Sequence, residues 1–556
     1  MNTPNAPTWP SHAPLRVLSV DDALLVVDKP VGVSTQSSER ASDDMVARVR
    51  LARAEPYLGV LQRLERDVSG VLAFTRDRRF NGAMAPQFER HTATRTYLVA
   101  VEAWRYKDPQ GVMISRLVPD GDGGFTVVTK PTRGEHRATL TWRVEARDGT
   151  RSILAITPGE GSLATARAQL AGAGHPVIGD ARHGGSPHAT PLIHLATLVL
   201  EHPSLGKPAK YDAPMPDRFA RWLAGDPFPP DVAAWRTRLL EAAERRAGLA
   251  HGEGLDAYRL GNDVGDDLAG VTVDRYGDHA LVQLYTPEAT EARDAVLDAV
   301  ASLGPRGVYV KFRPKQSNTL VDTRREDLAP ARAVRGDDAP ETLTVTEGGL
   351  RYRVRLGDGL STGIFLDQRA NRALVRTLAR DAHVLNLFAY TCAFTVAAAA
   401  GGARAITSVD VASRALAWGR ENLAANGFAD DPSHTFVTAD VFGWLGGARA
   451  RGDQFDLVLL DPPSYSTTKD GSRFSAESDY GDLAARALPL VAPGGRLLAW
   501  SNHRGISRLK LRRQLQEAAR VAGCNVASIR ELPDPEDFPP GPERECHLKS
   551  FVVELE

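Results

Sequence analysis

The chain has 556 residues, 42% hydrophobic, 25% charged and 7% aromatic, with a formal net charge of −1. That composition excludes disordered, collagenous and disulfide-scaffold classes, and at roughly 100–200 residues per domain the length predicts about three domains. Three cysteines (Cys392, Cys524 and Cys546) form neither a disulfide framework nor a metal-ligand spacing, so no metal and a reducing cytoplasmic compartment are expected. The opening MNTPNAPTWPSHAP lacks the basic and apolar regions of a signal peptide. No apolar run reaches the roughly 18 residues a membrane span needs.

Charge is uneven along the chain. Residues 1–250 carry 32 basic and 27 acidic side chains, an excess of +5, against −6 for the remainder. A mildly basic first half suits a polyanionic partner without demanding one. Residues 17–100 alternate apolar and polar runs in a short α+β pattern: VLSVDDALLVVDKPVGVST, GVLQRLERDVSGVLAFTRD and TRTYLVAVEA. Between apolar segments, Gln62 to Gly70 is a polar loop crowded with Arg63, Glu65, Arg66 and Asp67. It reads either as a surface salt-bridge cluster, which adds little stability, or as an active-site loop.

A Pro-rich stretch, Asp226 to Asp231, precedes a charged amphipathic helix predicted over Val232 to Ala250, with Trp235, Leu239 and Leu240 as apolar contacts. A first domain boundary is expected near Arg246. A second is expected in Gly336 to Thr342, before the alternating, strand-like LTVTEGGLRYRVRL. From Asp381 to Leu498, the runs HVLNLFAY, AITSVDV, DLVLLDPP and RLLAWS alternate with Ala-rich helical stretches. Short apolar runs of this kind are strands buried on both faces of a parallel sheet, so the last third is a doubly wound α/β domain.

Such sheets bind ligands at strand ends. The strand Val384 to Phe388 runs into a turn of small residues. The next strand ends in Asp410, placed to accept from a ribose diol. Asp440 ends FVTAD, and Asp461, Pro462, Pro463 and Tyr465 follow FDLVLL. Two prolines remove donors and stiffen the loop, leaving an aromatic ring able to close over a planar base. No G-x-G-x-x-G or Walker A sequence is present, which weakens nicotinamide and nucleoside-triphosphate readings.

These segments, GLSTGIFLDQRANR (359–372), VLNLFAYTCAFTVAAA, SVDVASRALAWGRENLAANG, FDLVLLDPPSYS and WSNHRG, resemble class I S-adenosylmethionine-dependent methyltransferases that modify large-subunit ribosomal RNA. The resemblance covers about residues 250–556. It implies that Phe365, Asp367, Gln368 and Arg369, with the turn Asn386, Phe388 and Tyr390, hold the methionine part of S-adenosylmethionine. Asp410 would take the ribose and Asp440 the adenine, while Asp461, Pro462 and Tyr465 line the cavity where cofactor and base meet. In the branch making 5-methylcytosine a nucleophilic cysteine follows the strand matching Leu497 to Ser501; here that position is Asn502. Cys392 reads as a small buried residue and Cys546 as core, and SNHRG resembles the branch methylating nitrogen 7 of guanine, which implies a guanine nitrogen as the favoured acceptor.

Residues 16–225 resemble the pseudouridine synthase family, through VDKPVGV, RLERDVSGVLAFTRD, QFERHTATRTYLVAVE, GAGHPVIGDARHGG and HPSLGKPAKYDAPMPDRF. That family's His-Arg-Leu-Asp loop is here Gln62-Arg63-Leu64-Glu65. Its Gly-Arg-Thr-His-Gln-Ile-Arg segment is GSLATAR (161–167), retaining only Gly161 and Arg167. Glu for Asp displaces the carboxylate by about 1 Å, an error that can lower a rate about 100-fold. The expectation is therefore an inactive synthase fold that docks RNA, with Arg63, Tyr97 and Arg167 as binding residues and Glu65 as the catalytic group if activity survives.

The expected fold is multidomain: an α+β pseudouridine-synthase-like domain (1–246), a small α+β domain (247–341) and a Rossmann-like methyltransferase domain (342–556). Large-subunit ribosomal RNA is the expected partner. The rivals are a bifunctional enzyme that also isomerises uridine, a 5-methylcytosine-forming enzyme and a non-catalytic RNA-binding protein.

Overall fold

A computed structural model describes residues 9–10, 15–36, 44–121, 123–159, 162–225, 228–229, 231–250, 255–313, 325–429, 431–467, 473–541 and 545–556. The chain forms two compact units, residues 1–252 with 264–269, and residues 253–263 with 270–556. Among the described residues no helix is long and apolar enough to cross a membrane, and no group of three His, Cys, Asp or Glu side chains is arranged to hold a metal.

The first unit is built on an 11-stranded sheet. Its centre runs Leu24–Lys29, Ser69–Thr75, Ile193–Glu201, Thr94–Glu102 and Arg151–Pro158. The pairs are antiparallel except where His194 and Leu195 meet Ser69 and Gly70. Gly70 has φ +119°, and a Cβ there would stand 2.7 Å from the Leu195 carbonyl carbon, so only glycine permits this close pairing. The helix Leu163–Gly172 starts on Ser162, whose hydroxyl accepts from the Thr165 amide, and buries Ala166, Ala168 and Leu170.

The amphipathic helix is shorter than its sequence pattern suggests. It covers Val232–Arg245, and Ala247–Ala250 form a separate turn. Trp235 and Leu239 are buried as expected, but so are Arg238 and Arg246. Arg245 and Arg246 both donate to the buried carboxylate of Asp266, at 3.0 Å from Nε and Nη1 respectively. Successive side chains on a helix diverge by about 100°. Ending the helix at Arg245 lets both guanidinium groups converge on one acid.

The second unit holds a five-stranded sheet from Ala257–Asn262, Val271–Tyr276, His279–Leu284, Gly307–Phe312 and Arg335–Gly336. The alternating LTVTEGGLRYRVRL is a hairpin, Leu343–Glu347 against Leu350–Val354. Gly348 and Gly349, at φ +57° and +78°, make the two-residue loop whose twist matches the strands.

The largest sheet of this unit has seven strands: β1 His383–Leu387, β2 Ala405–Asp410, β3 His434–Thr438, β4 Phe455–Leu460, β5 Val491–Ser501, β6 Val526–Glu531 and β7 Lys549–Leu555. Their spatial order is β3-β2-β1-β4-β5-β7-β6, with β7 antiparallel to both neighbours and the other pairs parallel. Val384, Leu385, Leu387, Val458, Leu460, Leu497 and Ala499 are fully buried, which explains their unbroken apolar runs. Strand order reverses between β1 and β4, and such a switch point opens a crevice at the C-terminal strand ends. The run HVLNLFAY is strand only to Leu387, because Phe388 and Tyr390 adopt φ +56° and +47° and turn the chain.

Candidate active site

The turn after β1 alternates left-handed residues, Phe388, Tyr390 and Cys392, with residues at negative φ. Alternation of this kind gathers successive backbone N–H groups into a concave surface. Glycine normally supplies such geometry, so no glycine motif announces it. At the end of β2, Asp410 accepts from the Tyr390 amide and the Ala412 amide, each at 2.8 Å. The β1 and β2 strand ends are thereby fixed to one another.

Asp461, at the end of β4, accepts from Gln368 Nε2 at 3.0 Å, and Gln368 in turn accepts from Asn371 at 2.6 Å. Burial and the neighbouring Asp367 carboxylate push the Asp461 carboxyl up to about 7, against the opposing pull of Gln368 and Arg372. Asp367 goes the other way. Burial opposes its ionisation, but the His547 hydrogen bond at 2.8 Å and the charges of His547, Arg259 and Arg372 hold it below the usual range. The two carboxyl groups are thus shifted in opposite directions, a pattern associated with functional sites. Phe365 is 47% exposed, and its ring lies 5.4 Å from that of Tyr390.

The expected residues do not all point into one place. Asn386 donates inward to Thr395 Oγ1 at 2.9 Å and is buried. Arg369 is engaged by both oxygens of Asp537, at 3.0 and 2.8 Å. Asp440 is exposed and caps the helix Val441–Arg451 by accepting from the Gly443 amide. Pro462 is buried. Tyr465 is 49% exposed, with its hydroxyl 2.7 Å from His503 Nε2.

Sequence reasoning did not single out His503, His547, Asn371 or Asp537. The signals were present in SNHRG, CHLKSF and EDFPP, but polar residues in irregular segments show no periodicity. Two of the three thiols are withdrawn. Cys392 and Cys546 are buried, and burial pushes them up to about 12 and about 11.

In the first unit, Arg167 donates to Glu65 at 3.1 Å and to both oxygens of Asp180 at 2.8 Å, and His183 Nδ1 lies 3.0 Å from Asp180. Glu65 is 57% exposed, and Arg63 reaches Gln36 at 3.3 Å. Tyr97, only 3% exposed, is packed in the sheet core between Leu195 and Ile156 rather than presented at the surface. Asp180 and His183 were not anticipated, and Gly161 lies outside the described residues.

The strand-end acids Asp410 and Asp461, Asp367 of the helical turn Leu366–Gln368 and the concave backbone turn suit a ligand combining ammonium, ribose hydroxyl and carboxylate groups, as S-adenosylmethionine does. A family model described as S-adenosylmethionine-dependent methyltransferase matches residues 260–552, and one described as RNA pseudouridylate synthase matches residues 23–172. Ribosomal RNA large subunit methyltransferase I of Klebsiella pneumoniae is 36% identical over 311 residues, 56% of this chain and 76% of its own. The ribosomal RNA large subunit methyltransferase of Deinococcus radiodurans is 33% identical over 333 residues, covering 58% and 80%. A methyltransferase crystallised with SAH shares 31% identity and a TM-score of 0.53, covering 63% of this chain and 85% of its own. An S-adenosylmethionine-dependent methyltransferase from Streptococcus mutans shares 30% identity and a TM-score of 0.52 over the same shares. The chain therefore belongs to the S-adenosylmethionine-dependent methyltransferase family, with an RNA pseudouridylate synthase domain preceding the methyltransferase fold.

Proposed function

We propose that this chain methylates a base nitrogen, with guanine the favoured base, in large-subunit ribosomal RNA in the cytoplasm. The observation that carries the acceptor is the state of the thiols. A pyrimidine carbon needs covalent activation by a thiolate, yet Cys392 and Cys546 are buried with raised thiol pKa values, and Asn502 stands after β5. The names of the relatives from Klebsiella pneumoniae and Deinococcus radiodurans support the RNA substrate.

S-adenosylmethionine, when bound, supplies an electrophilic methyl group on a sulfonium. Asp410 would hold its ribose, the backbone turn of Phe388 and Tyr390 with Phe365, Asp367, Gln368 and Arg369 its methionine part, and Asp440 its adenine. Asn386 would act from behind, by fixing β1 to Thr395. Asp461, Pro462 and Tyr465 would bound the place where the target base enters. In-line displacement then depends mainly on positioning. Tandem mass mapping of unmodified 23S ribosomal RNA incubated with the protein and cofactor tests this reading. A 5-fluorocytosine-containing RNA that trapped the chain covalently would reverse it.

For residues 1–246 we propose RNA docking without isomerisation, through Arg63 and Arg167, with residues 247–341 as a small substrate-recognition domain. Tyr97 would support the docking loop from within. A second reading retains isomerase activity, and the Glu65–Arg167 contact at 3.1 Å favours it by holding a carboxylate in the loop. Tritium release from 5-tritiated uridine in RNA separates the two.

A further inference from the structure

Two loops at the C-terminal ends of β4 and β5 are joined by a pair of hydrogen bonds. Ser464 donates to Asn502 Oδ1 at 2.8 Å, and His503 Nε2 lies 2.7 Å from the Tyr465 hydroxyl. The direction of the second bond follows from a third contact. The Gly505 backbone N–H donates to His503 Nδ1 at 3.0 Å, so Nδ1 must accept and the neutral ring carries its proton on Nε2.

Burial, with Lys549 and Lys510 acting against Glu477, holds His503 below the ordinary imidazole range, so the ring is neutral at physiological pH. Nε2–H therefore donates to Tyr465. A phenol oxygen that accepts this bond must send its own proton elsewhere, and no other partner for that hydroxyl occurs among the described residues. The anchor is firm: His503 is buried, and the Lys549 ammonium donates to the His503 and His547 carbonyls at 3.1 and 3.0 Å. Tyr465 itself is half exposed.

We propose that His503 is a positioning residue that turns the Tyr465 hydroxyl outward as a hydrogen-bond donor to a carbonyl oxygen beside the methylated nitrogen of the target base. In guanine, O6 stands beside N7 on one edge, and an accepting oxygen at that place is what an outward O–H reads. Asn502, its amide oxygen taken by Ser464, is exposed beside it. The inference rests on the base-nitrogen reading above and adds how the base is recognised.

The test uses the full chain, unmodified 23S ribosomal RNA transcript and cofactor carrying a tritiated methyl group, in single turnovers. Tyr465→Phe and His503→Ala should each slow transfer about 10-fold, the scale of one hydrogen bond, with cofactor affinity unchanged. The double variant should be no slower than the slower single one. His503→Gln, which keeps an N–H for Tyr465, should recover most of the rate. Nitrogen-15 spectra of histidine-labelled protein, with His503→Gln identifying the signal, should show the Nε2–H tautomer. An Nδ1–H tautomer, additive losses, or full activity of Tyr465→Phe in a preparation whose wild type is active would overturn this role alone. A wild type that transfers no methyl group to the RNA would remove the base-nitrogen reading and this role with it.

Discussion

Between about pH 4 and 7, Asp461 holds a proton that the unfolded chain would release. Its carboxyl lies at about 7 in the fold against an ordinary 3.8. Because the folded state binds the extra proton, stability falls as pH rises from about 4 to about 7 and levels off above that. Asp461→Asn removes this penalty. It should stabilise the protein at pH 8 by on the order of 1–3 kcal/mol, and by less at pH 5, while lowering methyl transfer. Denaturant titrations at the two pH values check it; an equal shift at both would mean that Asp461 is ionised in the fold. Asp410 carries a different load, since both its oxygens already accept backbone amides. Asp410→Ala should weaken cofactor binding about 10-fold or more in calorimetry, through loss of a charged acceptor and a loosened turn. Asp410→Asn, which keeps one accepting oxygen, should fall between.

At the scale of elements, the turn after β1 is held in place from outside. Three non-glycine residues at positive φ are each disfavoured by about 1–3 kcal/mol, and such conformations persist only when neighbours enforce them. One enforcer is the helix Ser413–Ala425, which approaches the turn at Gly419. A Cβ at Gly419 would stand 2.8 Å from Cys392 Cβ, and Asn422 donates to the Thr391 carbonyl at 2.8 Å. Gly419→Ala is therefore expected to lower stability by about 1–3 kcal/mol, by overpacking, and to weaken cofactor binding through displacement of the turn. Thermal unfolding with and without cofactor measures both; unchanged values would show that the turn yields freely.

For the whole molecule, the proposed function divides the work, with RNA docking in the first unit and cofactor binding in the second. Arg63→Ala should weaken binding to ribosomal RNA and reduce the salt slope by about one, as expected for a phosphate contact. Cofactor affinity should not change. Filter binding across a salt series distinguishes this from a folding effect, which would alter binding without changing the slope. Glu65→Ala should leave methylation at the wild-type rate and uridine isomerisation undetectable in both proteins. Tritium release above background in the wild type, lost in Glu65→Ala, would show a working synthase.

Much of this was legible in the chain itself. The doubly wound sheet, its apolar strands and the acids at their ends follow from local rules: strands buried on both faces must be apolar throughout, and a strand-ending Asp needs only its place in the run. The tertiary structure decided what those rules do not reach. That the Asp461 carboxyl is raised depends on burial and on Asp367, and that Asp367 is lowered depends on His547, Arg259 and Arg372, groups brought together from separate segments. The direction proposed for the Tyr465 hydroxyl depends on which ring nitrogen of His503 a backbone amide occupies. That Asn386 turns inward, and that Tyr97 is core rather than surface, depends on which side of a packed strand each side chain takes. Electrostatic shifts, hydrogen-bond direction and burial are properties of neighbours in space, and a linear sequence names those neighbours only once the chain has folded.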